Sequence, residues 1–229
     1  MKPICFIGAR KGSKGVPNKN LRIINGIPLI GHTIKKAKNS KIFSHVIVST
    51  EDKRIANVAK KFGAEIPFMR PKKLATDSAT MEGVLLHGIK QLRALDYEFK
   101  TIVLLDCTVP FIRIKDIKKS VDMIEKQNIS IVCGVYEQHL NPYFNIAEIT
   151  KQGVLKLVKK SKKEPKNRQE APIVYQMNGL YTFKADDYLK TGEKIMKKMI
   201  PLKIPIETGL MIDTEFEFKI TKLLMEKSK

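Results

Sequence analysis

The sequence predicts an α/β fold: a mostly parallel sheet with helices on both faces, carrying a β-hairpin arm. Three observations predict it. From residue 4 to residue 135, short apolar, β-branched runs alternate with segments whose apolar residues recur at helical spacing. Such a βαβαβ alternation implies parallel strands joined by crossover helices. The first apolar run leads into a glycine- and lysine-rich loop at residues 8–20, and sheets of this kind place ligands at the carboxyl ends of their strands. Residues 137–176 then break the rhythm with a hairpin pattern and a lysine run. With 229 residues and 43% hydrophobic content, the chain can bury one sizeable core. It therefore reads as one domain over residues 1–229, with segment 137–176 inserted as the arm.

Each element follows from local pattern. Ile4–Ala9 is the first strand, and Leu21–Gly26 is a short extended piece ending in a turn. Pro28 suits the first turn of a helix that runs to about Asn39. The β-branched run His45–Thr50 is the second strand, and Ser49 or Thr50 can cap the helix behind it. In that helix Ile55, Ala56, Val58, Ala59 and Phe62 share a face; Gly63 ends it, and Glu65–Phe68 is a third short strand. Residues 70–80 form a polar loop and cap ahead of a helix over about Met81–Leu95. Thr101–Leu105 is the most apolar strand and the expected centre of the sheet. The loop Asp106–Arg113, a helix over about Lys115–Gln127 and the strand Ile129–Val135 follow. In the arm, Phe144–Thr150 and Val154–Val158 pair around Gln152-Gly153, and Lys159–Lys166 is a solvated charge run. Tyr181–Phe183 returns to the sheet, and an amphipathic helix over Thr214–Lys227 closes the chain.

The loop at 8–20 carries the chemistry. It reads Gly8-Ala9-Arg10-Lys11-Gly12-Ser13-Lys14-Gly15-Val16-Pro17-Asn18-Lys19-Asn20. Glycines let the backbone approach a ligand closely, turn N–H groups form an anion-binding concavity, and the cations add full charge. Together these features describe a polyphosphate cradle. The loop is not a Walker A loop, because Val16 follows Gly15 where a lysine would stand, and it lacks the Gly-x-Gly-x-x-Gly spacing of a dinucleotide-binding turn. Pro17, Asn18 and Asn20 keep it from entering a helix at once.

Composition narrows the class. The net charge is +20, and seven of the 43 basic residues are arginine, leaving 36 lysines spread along the chain. Charge of this kind steers acidic substrates inward. A nucleic-acid-binding protein is the reading from another class, and it needs clustered cations with stacking aromatics. Aromatic content is only 7%, without tryptophan, so nucleic acid is not the expected partner. Cys5, Cys107 and Cys133 sit in or beside apolar runs without metal-ligand spacing, which fits small buried hydrophobes in a reducing, cytoplasmic compartment. No stretch has the length of a membrane span, and Met1-Lys2-Pro3 opens straight into a strand rather than a signal peptide.

Four ordered motifs give the chain a likeness over essentially its full length. It resembles the acylneuraminate cytidylyltransferases, whose cradle pattern Ala-Arg-x-x-Ser-Lys-Gly-x-x-x-Lys-Asn stands here as residues 9–20. The family's Arg-Pro and Leu-Ala-x-Asp-Ser-Ala appear as Arg70-Pro71 and Leu74–Ala79, its sugar-side block as Arg168-Gln169…Pro172 and Asn178-Gly179…Tyr181, and its C-terminal motif as Ile212-Asp213-Thr214-Glu215. The resemblance implies a Rossmann-like nucleotidyltransferase fold, a homodimer joined through the arm, and a Mg²⁺-dependent reaction. In that reaction a nine-carbon keto sugar acid, a nonulosonic acid, takes CMP from CTP and pyrophosphate leaves. It assigns Arg10, Lys14, Lys19 and Asp213 to catalysis. CTP binding falls to Ala9, Arg10, Ser13, Lys14, Gly15, Lys19, Asn20, Arg70 and Thr80, with Asn20 and Arg70 reading cytosine. Sugar binding falls to Arg168, Gln169, Asn178 and Tyr181, with Arg168 on the carboxylate. Asn20 as a turn cap, Arg70 paired with Asp77 and Tyr181 as a core strand residue are the structural alternatives.

The sequence departs from the family pattern in two places. Typical members carry Asp-Ile-Asp at the C-terminal motif, and here the first position is Met211, a poor ligand for a hard cation. The motif after the central strand, usually Leu-Gln-Pro-Thr-Ser-Pro, reads Leu105-Asp106-Cys107-Thr108-Val109-Pro110. Related enzymes acting on deoxy-octulosonate or methylerythritol phosphate place one metal aspartate after this strand, so Asp106 and Asp213 are the expected Mg²⁺ ligands. Asp106 as a turn cap is the alternative. Where many sialic-acid enzymes carry a Phe-Phe pair, Ile195–Ile200 has no aromatic, which leaves legionaminic, pseudaminic or related acids as acceptors. A cytidylyltransferase for another sugar acid or a polyol phosphate is the alternative enzyme.

Overall fold

A computed structural model describes residues 1–127, 129–161, 165–192 and 199–227. In chain order its strands are β1 (Ile4–Gly8), β2 (Ile23–Ile24), β3 (Ile27–Pro28), β4 (Val46–Ser49), β5 (Thr101–Leu105), β6 (Ile131–Glu137), β7 (Ala147–Ile149), β8 (Leu155–Leu157), β9 (Tyr175–Lys184) and β10 (Ile200–Lys203). Its helices are α1 (Leu29–Ser40), α2 (Lys53–Lys61), α3 (Met81–Ala94), α4 (Ile114–Lys126), α5 (Ala185–Thr191) and α6 (Glu215–Lys227). Six strands form one sheet in the order β10-β6-β9-β5-β1-β4. Only β9 runs antiparallel to its neighbours, so the mostly parallel sheet is as expected and β5 lies inside it.

Strand alternation builds two cores. Cys5 and Ile7 of β1, Val46 and Val48 of β4, and Val103 and Leu105 of β5 face α1, α2 and α4. Their neighbours Ile4, Phe6, Ile47, Ile102 and Leu104 face α3 and α5. A period of two on strands and apolar faces on helices thus produce three layers. The fit is tight: a Cβ on Gly88 of α3 would lie 2.5 Å from the Phe6 ring.

Several elements differ from the sequence reading. The expected strand Glu65–Phe68 is a single bridge between Ile47 and Glu65; it sits outside edge strand β4, and Pro67 removes a donor from any further ladder. The α2 cap is Asp52, whose carboxylate accepts the Arg54 and Ile55 N–H groups, rather than Ser49 or Thr50. β9 is ten residues long instead of three. Neither α5 nor β10 was foreseen. The arm hairpin is present as β7 and β8, and Gln138 N–H to Val174 C=O continues the β6–β9 ladder at its base. The arm is therefore the long loop of a β6–β9 hairpin. Part of the lysine run (Lys162–Glu164) and most of Ile195–Ile200 lie outside the described residues.

Candidate active site

The carboxyl ends of β1 and β5 open onto one cleft of about 420 Å³. Arg10, Ser13, Lys14, Gly15, Lys19, Asn20, Arg70, Asp106 and Asp213 all line it. These are most of the residues assigned to CTP and metal, drawn from four separate stretches of chain. The loop after β1 closes on itself where Asn20 Nδ2 donates to the Arg10 carbonyl at 3.0 Å. Asn18, with φ 52°, provides the left-handed turn that asparagine tolerates. Asn20 does act as a loop tie, as its structural alternative held, and it still faces the cleft.

Each cation is already held. Lys19 is buried; its ammonium donates to the Ile212 carbonyl and lies 3.3 Å from Asp213 Oδ1. Arg10 Nη1 donates to the Thr76 carbonyl at 2.8 Å and pairs with Asp77 Oδ1 at 3.0 Å, while Lys14 Nζ pairs with Asp77 Oδ2 at 3.0 Å. Lys14 and Arg10 hold the Asp77 carboxyl below the usual carboxylate range. Arg70 is not paired with Asp77. It is buried, and its guanidinium donates to the Ser49 hydroxyl and carbonyl, which fixes the fork at the end of β4.

The two aspartates arrive from opposite ends of the sequence. Asp106 follows β5, and its backbone N–H donates to the Gly179 carbonyl at 2.8 Å. A Cβ on Gly179 would lie 2.3 Å from Asp106 Cβ, so β9 presses the carboxylate toward the cleft through a glycine. Burial raises the Asp106 carboxyl pKa, and the Asp213 charge pushes the same way. The Thr108 N–H, at 3.2 Å from Asp106 Oδ1, and Lys19 oppose this. The turn-capping alternative for Asp106 is thus present, and it leaves the residue in the cleft. Asp213 is placed by a capping box at the start of α6: Glu217 Oε2 accepts the Asp213 and Thr214 N–H groups at 2.7 and 2.8 Å, and the Glu217 N–H donates to the Thr214 hydroxyl at 3.4 Å. A backbone bond from Ile212 N–H to the Thr108 carbonyl joins the two segments.

Comparison with known proteins decides the family. A family model described as cytidylyltransferase matches residues 4–225. The chain belongs to the cytidylyltransferase family. It is 38% identical over 228 residues to a protein of Campylobacter jejuni named CMP-N,N'-diacetyllegionaminic acid synthase, covering 97% of this chain and 94% of that one. It is 37% identical over 230 residues to the post-translational flagellin modification protein B of Campylobacter coli, covering 98% and 95%. Among solved structures, CMP:2-keto-3-deoxy-manno-octonic acid synthetase complexed with CTP shares the fold with a TM-score of 0.76, at 19% identity and full coverage of both chains.

In this cytidylyltransferase the sugar-side residues stand apart from the cleft. Arg168 and Gln169 are exposed on a 3₁₀ turn at the base of the arm. Asn178 is fully buried, its amide 3.4 Å from the Thr208 carbonyl and its Oδ1 without a partner. Tyr181 is half-buried on β9, pairing in register with Leu104 and Cys133; burial raises its hydroxyl pKa to about 12. Its core-strand alternative describes this position. Ala9 is buried beneath the cradle, and the Thr80 hydroxyl caps α3 by accepting the Gly83 N–H at 3.1 Å. Met211 packs against the core and is 3.6 Å from Gln176 Nε2. The sequence reading did not anticipate the apolar wall of Leu74, Met81 and Val84. Two of its members, Met81 and Val84, lie one turn apart on α3, which was a legible signal.

Lys36 of α1 ties down the loop that carries Asp106. Its ammonium donates to the Pro110 carbonyl, and burial lowers its pKa from 10.5 to about 8. Between about pH 8 and pH 10 the unfolded chain therefore holds a proton that the folded one has released, so this group's contribution to stability rises with pH. Lys36→Met is expected to lose that rise. In urea unfolding at pH 7, 8, 9 and 10, its stability relative to the parent should fall as pH increases. A difference independent of pH would sink the assignment.

Proposed function

We propose that this cytidylyltransferase transfers CMP from CTP to the anomeric hydroxyl of a nonulosonic acid, with a legionaminic-type acid as acceptor. The observation that carries the reading is the meeting of the cationic cradle, Arg70 and two aspartates in one cleft. The sugar oxygen attacks the α-phosphorus, the bond to pyrophosphate breaks and pyrophosphate leaves, and the hydroxyl proton passes to solvent. Arg10, Lys14 and Lys19 bear the developing phosphate charge, which is the main task of the protein in phosphoryl transfer. Asn20 and Arg70 meet the acceptor edge of cytosine. Asp106 and Asp213 are suited to Mg²⁺: both are oxygen donors on the cleft, and a cation would relieve the repulsion that the Asp213 charge exerts on the buried Asp106. These two carboxylates would hold Mg²⁺, which would neutralise charge on the phosphate oxygens.

The relatives support this choice of acceptor. Those named for N,N'-diacetyllegionaminic acid match nearly the whole chain, at 38% and 31% identity. One named pseudaminic acid cytidylyltransferase matches 52% of it. The exposed Ile149, Val154 and Leu155 of the arm form an apolar surface of the kind that a second copy covers. A homodimer in which Arg168 and Gln169 serve the partner's cleft is the arrangement proposed for these two exposed residues. Three free, buried cysteines fit a reducing cytoplasm, and no described helix is long and apolar enough to cross a membrane.

Pyrophosphate release from CTP, measured against a panel of nonulosonic acids and deoxy-octulosonate, tests the reading. N,N'-diacetyllegionaminic acid is expected to turn over fastest, and preference for deoxy-octulosonate would overturn the assignment. Arg168→Ala should raise the sugar KM by about ten- to a hundredfold, the range of a lost charged hydrogen bond, with CTP affinity unchanged.

A further inference from the structure

We propose that Asp77 is a built-in competitor for the phosphate cradle, holding Arg10 and Lys14 until a polyphosphate displaces it. This rests on reading the cleft as the CTP site. Asp77 spends both carboxylate oxygens on the two cations, one at 3.0 Å from each. A carboxylate in that position presents two anionic oxygens to the same N–H donors that a phosphate would use. All three side chains line the cleft, so the anionic ligand and Asp77 compete for one set of donors.

The pair is poised to exchange. The Asp77 and Lys14 side chains keep 57% and 79% of their exposure, so water screens the contact and the exchange is inexpensive. Lys19 differs: it is buried between the Ile212 carbonyl and Asp213, and it stays with the metal-side carboxylates. The cradle thus has one fixed cation and two that are lent to Asp77. Asp77 also stands on the loop that Arg10 grips through the Thr76 carbonyl, so release of the carboxylate loosens one tie between the cradle and residues 75–77 while the backbone tie remains. In the product state, pyrophosphate offers the same oxygens with fewer contacts than CTP. Competition by Asp77 therefore weakens pyrophosphate by the same factor as CTP, and on the more weakly held product it favours departure.

Asp77→Asn keeps the size of the side chain and removes its charge. Calorimetry with inorganic pyrophosphate, and with CTP in the absence of sugar, should show about three- to tenfold tighter binding, the range for two exposed ion pairs no longer in competition. Product inhibition by pyrophosphate should strengthen by the same factor. Asp77→Ser should act in the same direction, and Asp77→Glu, which keeps the charge, should stay near the parent. Unchanged or weaker pyrophosphate binding in both neutral variants would overturn the proposal and make Asp77 a strut of the cradle. Arg10→Ala separates the two levels. If that variant binds pyrophosphate and CTP as the parent does, the cradle assignment itself fails and the competition falls with it. If Arg10→Ala weakens binding while the Asp77 variants do not strengthen it, only the competition fails.

Discussion

Asp106→Asn is expected to bind CTP like the parent, to lose Mg²⁺-dependent turnover by on the order of 10²–10³, and to melt at the same temperature or higher. The first two outcomes follow from position. Asp106 lines the cleft beside Asp213 and Lys19 and shares no hydrogen bond with Asn20 or Arg70, the residues proposed to meet cytosine, so its charge is expected to matter where phosphate charge develops. The magnitude is that of removing one preorganised electrostatic contact to a transition state. The third outcome has a definite sign. Burial raises the Asp106 pKa in the folded state; the folded chain therefore binds the proton more tightly than the unfolded one. Stability falls as pH rises from the ordinary carboxylate pKa through the raised folded-state one, and above the latter the ionised carboxylate bears the burial cost in full. Asparagine removes that cost and keeps the bond from the Thr108 N–H. A gain in stability with a loss of rate marks a group retained for function. Turnover within a few-fold of the parent at saturating Mg²⁺ would remove Asp106 from the metal site.

The parts of this site that are local in sequence were legible, and those that depend on distant pairing were not. The cradle announces itself because its glycines and cations fall within one loop, and every cation assigned there lines the cleft. Asp213 is fixed by Thr214 and Glu217, a spacing that any reader of capping boxes can find. By contrast, Asp106 and Asp213 come to one cleft through long-range contacts such as the bond from Ile212 to the Thr108 carbonyl and the tie from Lys19 to Ile212, and no periodicity encodes those; the resemblance supplied the pairing. The partner of Arg70 was open between two choices, and the fold placed Ser49 there and gave Asp77 to the cradle cations. β10 was hidden by Pro201, which is tolerated because this strand has a neighbour on one side only. β9 was shortened in the reading by Asn178-Gly179, whose loop-forming types are used here where the β6–β9 register shifts. The sugar-side residues were named from motif alone, and they lie outside the cleft: Arg168 and Gln169 are exposed on the arm, and Asn178 and Tyr181 are packed into β9.

Gly15→Ala is expected to lower kcat/KM by about a hundredfold and to cost about 1–3 kcal/mol of stability, the range of overpacking in a rigid contact. A Cβ at this position would lie 1.8 Å from the backbone carbonyl oxygen of Asp213 and 3.0 Å from its carbon. No rotamer relieves such a clash, because the backbone fixes the Cβ and the atoms it meets are main chain. The cradle and the segment 212–214 must separate by more than 1 Å, and displacements of that size at reacting groups cost about two orders of magnitude in rate. The same movement pulls the Ile212 carbonyl and Asp213 away from Lys19, so CTP affinity and the chemical step should fall together. Gly12→Ala is the folding control: a Cβ there meets nothing within 4 Å, and its melting temperature should match the parent. If Gly15→Ala kept both kcat and KM within about twofold, the close approach of cradle and C-terminal motif would not set the geometry of the site. If only KM rose, Gly15 would serve phosphate binding alone, and the link from the cradle to Asp213 would have to be abandoned.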